Sequence, residues 1–352
     1  MKKYLNWVLI LSFNVIIFFL GMYAYKNEDI RTHITSIFSI SEIKNISYSN
    51  YSLGENSIPK NINLIISDSS KSILNQCQKN AIKADILRDE NKIEVPAFLI
   101  YSSDTFNISM RLKGDLADHW NGDKWSYRIK LKGKNRLFGM KTFSLQSPST
   151  RRELNEWYFH KLLKYEGFIA LRYSFINLTE NGTLKGIYAI EEGFDKQLIE
   201  FNHRREGPIL KFDESIHIDK TIINKNKQYS QENIFLISDI NVFKTKRTLK
   251  APPLYNQFKK GKELLNKLRS REITLAQAMD IEKAAKLFAI ADLTGGHHAL
   301  RWKNVRFYFN PVVGKLEFIG FDSNSGYMIS DIYYNKWINN EIGIHDVLIW
   351  KK

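Results

Sequence analysis

The chain has 352 residues, long enough for two domains or one large two-lobed one, and its 43% hydrophobic content excludes general disorder. Its 52 basic and 37 acidic residues leave a formal charge of +15, which favours anionic partners: phosphorylated ligands, acidic lipids, surface polymers or nucleic acid. The single cysteine, Cys77, excludes an intramolecular disulfide and a cysteine-built zinc site.

Residues 1–25 read as a membrane anchor, because Lys2 and Lys3 precede an uncharged run from Tyr4 to Tyr23, about long enough to cross a bilayer as a helix. The run exceeds a signal-peptide core, and only Met22 to Ala24 approaches a cleavage site, so the anchor is expected to stay. Lys2 and Lys3 before it, and Glu28 and Asp29 after it, bias the amino terminus inward. The expectation is a single-pass membrane protein of the cell envelope with its bulk outside the cytoplasm. Residues 26–60, rich in Ser and Asn, read as a stalk.

Residues 61–200 read as a β-rich, N-lobe-like part. Ile62 to Ile66 is a predicted strand, Ser69 to Leu87 a helix, and Lys92 to Tyr101 with Thr105 to Leu112 a strand pair. From Trp125 to Leu131 apolar residues alternate with Ser126, Arg128 and Lys130, so one face is apolar and the other cationic. Lys141 to Leu145 is another strand. Thr150 to Glu153 has the pattern of a capping box for a helix carrying Leu154, Trp157, Tyr158, Leu162 and Tyr165, stopped at Gly167. Asn181-Gly182 joins Ile169–Thr179 to Leu184–Glu192 as a hairpin with a type I′ turn.

Residues 201–352 read as a C-lobe-like part. Asp213 to Lys250 is polar and poorly periodic, hence a long excursion, and helices follow at Tyr255 to Arg269 and Asp280 to Leu293. The ending at Lys352, with no C-terminal helix cap, leaves open an incomplete lobe. The whole is expected to be α+β.

Two groups of residues point to chemistry. Asn304 and Asp322, an amide and a carboxylate at the ends of neighbouring strands, are the hard oxygen donors that Mg²⁺ bridging nucleotide phosphates requires. Lys113 beside Gly114, with Arg128 and Lys130, supplies cations near open backbone, as phosphate binding needs. Glu192 is expected to pair with one of these lysines. The chain has no HExxH metal-hydrolase pattern and no GxSxG nucleophile elbow, and the basic run at Lys244, Lys246, Arg247 and Lys250 comes with no nucleic-acid motif. Nucleic acid is therefore not the expected partner.

Taken in order, Met110-Arg-Leu-Lys-Gly114, Trp125-Ser-Tyr-Arg-Ile-Lys-Leu131, Gly186-Ile-Tyr-Ala-Ile-Glu-Glu192 with Asp195, Asn304-Val-Arg-Phe-Tyr308 and Phe321-Asp322 resemble the CotH family of spore-coat-protein-H-like atypical kinases. The resemblance spans roughly residues 60 to 326. It implies a divergent two-lobed protein-kinase-like fold, ATP and Mg²⁺ as cofactors, and phosphorylation of Ser on a protein substrate. By position it implies that Lys130 contacts the nucleotide, that Glu192 is the acidic strand residue, and that Asn304 and Asp322 hold the metal. Kinase catalytic loops place an Asp five residues before the metal-binding Asn, where this chain has Ala299. His298 and Asp292 are the candidate substitutes for that base. The alternative is a catalytically impaired pseudokinase of the envelope that binds an anionic polymer or partner through a basic cleft. The sequence does not set the oligomeric state.

Overall fold

The computed structural model describes residues 59–224 and 230–326. The expected anchor, most of the stalk and the chain's ending lie outside the described residues. Among the described residues, no helix is long and apolar enough to cross a membrane.

The first part is a closed barrel of seven strands: β1 (Lys60–Ile65), β2 (Val95–Tyr101), β3 (Asp104–Leu112), β4 (Tyr127–Leu131), β5 (Thr142–Gln146), β6 (Tyr173–Glu180) and β7 (Thr183–Glu192). Their order is β1-β2-β3-β4-β5-β7-β6, and a parallel pairing of β6 with β1 closes the ring. Period-two alternation explains the closure. Ile62, Leu64, Leu99, Ile108, Met110, Ile129, Phe143, Leu145, Leu178 and Ile190 all turn inward and are fully or almost fully buried. A helix, α1 (Asp68–Ala84), adds Leu74, Cys77 and Ala81 to the same core. Its N-cap Ser67 accepts from Ser70 N, and Asp85 ends it in a left-handed conformation. Asn181 and Gly182 make the β6–β7 turn, both with the positive φ that a type I′ turn demands.

The expected α+β character is observed, but the β-rich part departs from the kinase-like lobe that the resemblance implied. Its sheet closes on itself as a barrel, because apolar inward positions recur on every strand and leave no edge for a second layer.

The second part is an antiparallel four-stranded sheet, β11-β10-β8-β9, built from β8 (Ile209–Phe212), β9 (Ile240–Val242), β10 (Arg306–Asn310) and β11 (Lys315–Ile319). The stretch read as a polar excursion supplies β9 and buries Ile234, Phe235 and Ile240, so its apolar content is structural despite the weak periodicity. Between the two sheets runs α2 (Asn155–Tyr165), whose Phe159 and Leu163 join the second core. Later helices α3 (Pro252–Arg269) and α4 (Ile281–Thr294) complete that core through Leu265, Leu268, Leu287 and Ala291.

Two expectations for α2 are corrected. Thr150 and Glu153 do not form a capping box. A tight turn at Pro148–Arg151 precedes the helix, Thr150 Oγ1 donates to Ser147 O, and Arg152 and Glu153 are left-handed at φ 52° and 60°. The helix also buries Glu156, Phe159, His160 and Leu163, leaving Leu154, Tyr158 and Tyr165 exposed. The buried stripe includes a carboxylate and an imidazole, which a count of apolar residues overlooks.

Candidate functional site

The outward face of the barrel carries polar residues in register. Directly paired positions run Arg111–Arg128–Ser144–Glu191–Tyr173 across β3, β4, β5, β7 and β6. Arginines opposite each other on neighbouring strands repel. Arg128 donates to Ser144 Oγ at 3.1 Å, and no carboxylate pairs with it among the described residues. Burial lowers its pKa. Gly193 makes room for it, since a Cβ there would come within 2.6 Å of Arg128 Nη2.

Lys113 lies on the same outward face, beyond Arg111. Its Nζ donates to Glu191 Oε2 and to Gln146 Oε1, each at 2.6 Å. Burial pulls the Lys113 pKa down while the Glu191 charge pushes it back up. The expected Lys–Glu pair therefore involves Glu191, not Glu192. Strand alternation gives the reason: Glu191 is opposite Ser144 on the outward face, whereas Glu192 is opposite Phe143 on the inward one. Glu192 instead pairs with Arg172, whose Nε donates to Glu192 Oε2 at 2.9 Å, and burial raises its pKa. Lys130 is exposed on the outward face, between Ser109 and Thr142, apart from the buried charges.

The β10–β11 hairpin brings Asn304 and Asp322 to one end of the second sheet, because Arg306 is paired with Ile319 and the two residues lie just outside that pair. Both meet His298. Its Nδ1 donates to the Asp322 carbonyl at 2.7 Å and lies 3.4 Å from Asp322 Oδ1. Asn304 Nδ2 donates to the His298 carbonyl at 2.9 Å and lies 2.9 Å from His298 Nδ1 and 3.3 Å from Nε2. Asp292 is turned elsewhere, with Oδ1 2.6 Å from His297 Nε2. Ala299 is buried in the apolar core of the second part, so the position expected for a catalytic Asp faces no solvent.

Asp322 sits in the left-handed region at φ 57°, which a non-glycine residue holds only when its surroundings enforce it. Its neighbours do so. A Cβ at Gly320 would lie 2.3 Å from Leu163, so this glycine lets the chain cross α2 closely. Glu156 Oε2 accepts from Ser323 N at 2.9 Å and from Ser323 Oγ at 2.7 Å. Burial opposes the charge of Glu156, but His160 and Arg151 outweigh it and lower its pKa. Arg151 Nε lies 3.2 Å from Asp322 Oδ1. Burial likewise opposes the charge of Asp322, yet Arg151 and His298 hold its carboxyl well below the usual carboxylate range.

Arg151, Glu156, Glu191, Gln146, Tyr173 and His119 were not singled out in the sequence. Arg151 and Glu156 fell inside a stretch read as helix start and apolar stripe, and Glu191 was one residue from the one chosen. Buried polar atoms without hydrogen-bond partners concentrate here: Gln146 Nε2, Arg151 Nε, Glu156 Oε1, Tyr173 OH, Glu191 Oε1 and both His160 nitrogens. Such atoms mark a place where a ligand or ordered water belongs. Over the site, His119 packs onto Gly114, whose φ of +88° admits no side chain, and contacts Ser126 Oγ at 3.0 Å. Beyond Arg128 a cleft opens, lined by Phe194, Asp195, Phe243, Lys244 and Arg247.

The donor chemistry suits a hard cation. Asp322 offers a carboxylate and Asn304 an amide oxygen, the sparse protein donor set that Mg²⁺ can share with a substrate.

A family model described as "CotH kinase protein" matches residues 110–344, more than half of the chain. No curated protein matches it.

Proposed function

Because this chain belongs to the CotH kinase protein family, we propose that it uses Mg²⁺ and ATP to transfer a phosphoryl group to Ser of a protein substrate. The observation that supports this most is the convergence of Asn304 and Asp322 on His298, next to buried cations and a group of unpartnered polar atoms. Asp322 and Asn304 would hold the cation, which neutralises charge on the bridging phosphate oxygens. Lys113, fixed by Glu191 and Gln146, points one ammonium at the phosphates without free rotation. Arg128 adds a planar fork of donors, and Lys130 extends the cationic face outward. The cleft lined by Phe194, Phe243, Lys244 and Arg247 receives the remainder of the nucleotide. His298 joins the two, its Nδ1 lying against the Asp322 carbonyl and the Asn304 amide nitrogen. Proton removal from the acceptor hydroxyl falls to His298 Nε2 or to Asp292 through His297.

A second reading is favoured by one observation, the burial of Ala299 where a catalytic Asp is expected. On this reading the protein keeps the fold and binds an anionic polymer or partner without transfer. We also place the chain as a single-pass envelope protein with its bulk outside the cytoplasm, where ATP is scarce. A reporter fused after Lys352 and read as cytoplasmic would contradict that placement.

Incubation of the full chain with γ-labelled ATP, Mg²⁺ and candidate protein substrates separates the readings. Label on Ser supports the kinase, binding without transfer supports the second reading, and absence of nucleotide binding removes the first.

A further inference from the structure

The Asp322 carboxylate is already engaged. Arg151 Nε is 3.2 Å and His298 Nδ1 3.4 Å from the same oxygen, Oδ1, so two nitrogens already lie against one of the two oxygens open to a hard cation. The Arg151 contact is an ion pair without an aligned hydrogen bond, since its Nε has no hydrogen-bond partner. Two other carboxylates, Glu156 and Glu191, are buried close by; neither Oε1 accepts a hydrogen bond, and Glu156 Oε1 lies 3.4 Å from His160 Nε2. Burial works against the charge of Arg151, yet Asp322, Glu191 and Glu156 together hold its pKa above the ordinary arginine value. The guanidinium thus has one carboxylate partner, with Nη1 donating to Thr150 O at 3.0 Å, and two further carboxylates within its field.

The backbone on both sides of this ion pair is strained. Arg152 and Glu153 follow Arg151 with φ of 52° and 60°, and Asp322 and Asn324 have φ of 57° and 46°. Consecutive or paired left-handed residues other than glycine store strain, and they gather at switch segments. A cation bound to Asp322 at about 2.1 Å would repel a guanidinium on the same oxygen. The two positive charges compete for the same carboxylate, so a bound cation weakens the Arg151 contact.

Resting on the cation-site reading above, we infer that Arg151 stands in for the divalent cation at Asp322 and passes to Glu191 and Glu156 when the cation binds. The Oε1 atoms, free of hydrogen bonds, are the receiving positions, Glu191 Oε1 first because Glu156 Oε1 already faces His160, and the turn Pro148–Arg151 with its strained exit is the element that moves. Handover then links cation loading to the Lys113–Glu191 pair, because Arg151 arrives on the carboxylate that orients Lys113. The phosphate-holding lysine is adjusted only when the cation is in place.

The test uses the full chain without nucleotide. Mn²⁺ is titrated into the parent, Arg151→Gln, Arg151→Lys and Asp322→Ala, followed by paramagnetic resonance of free Mn²⁺, with melting temperatures taken in parallel. Removing the competitor should tighten binding about 5–150-fold in Arg151→Gln, the usual range of coupling between two ligands of one site. Its melting temperature should fall without cation and recover with it by more than the parent's. Arg151→Lys, whose shorter side chain lacks the fork, should bind severalfold more tightly than the parent, and it decides the matter if the Gln variant does not fold. Unchanged or weaker binding in the folded Arg151 variants overturns the handover while leaving the cation site standing, provided Asp322→Ala has lost it. Equal binding by parent and Asp322→Ala overturns both.

Discussion

The inside and the outside of the barrel use the same strands for opposite purposes. Inside, residues such as Ile129, Phe143 and Leu145 fill a closed apolar core. Outside, the alternate positions Arg128, Ser144 and Glu191 carry charge and hydroxyl into a layer covered by α2 and the end of β11. The inner face is satisfied by packing. The outer layer keeps unpartnered polar atoms and strained backbone at Arg152, Glu153 and Asp322. The inner layer carries fewer such costs, chiefly the unpartnered Trp120 indole N–H and the buried Glu192, so their concentration in the outer layer shows where stability has been given up for binding.

The contrast can be broken most forcefully from the inside. Phe143→Ala should cost about 3–5 kcal/mol in urea unfolding, as for large aromatic cores, and a loss below ~1 kcal/mol would mean the barrel core is loose. On the outer face, Lys113→Met strands Glu191 and should cost about 3 kcal/mol, the low end for a broken buried pair, because the Gln146 amide can turn to donate to Glu191. Replacing both, as Lys113→Met with Glu191→Leu, should return most of that loss. If the double variant is the less stable, the pair is structural rather than functional. Ser323→Ala removes a hydroxyl that donates to Glu156 and should cost about 1.5–3 kcal/mol, measured by the same unfolding curves.

The smallest effect is a pH dependence. Burial, with Arg151 and Lys113 nearby, sets the His119 pKa well below the ordinary histidine value of 6.5. The unfolded chain then binds a proton that the folded chain refuses, so stability falls as pH drops from about 6.5 toward the folded value. The depressed carboxyls of Glu156 and Asp322 lose their contributions only at lower pH, below the ordinary carboxylate range. His119→Gln should flatten the profile between about pH 5 and 6.5. A slope unchanged by that substitution would assign it to other groups.

The barrel strands were legible because each shows period-two alternation, and the Asn181-Gly182 turn because its backbone demands those residues. Closure was not, since pairing of β6 with β1 joins residues far apart in the chain. The hairpin logic that brings Asn304 and Asp322 together could be read from their spacing around β10 and β11. The partner of Lys113 could not, as Glu191 and Glu192 are adjacent and only the register decides which faces outward. Arg151 and Glu156 were hidden by helix signals. Thr150 to Glu153 matches a capping box in letters, but Pro148 starts a tight turn first, and the helix then rolls a polar stripe into the interior.

The claim on which the functional account rests is that Asp322 anchors a cation and nucleotide in the layer between barrel and second sheet. Calorimetric titration of ATP with Mg²⁺ into the full chain and into Asp322→Ala tests it directly. The account predicts saturable, Mg²⁺-dependent binding by the parent and its loss in the variant, with the variant still folded. Equal binding by the two would contradict it.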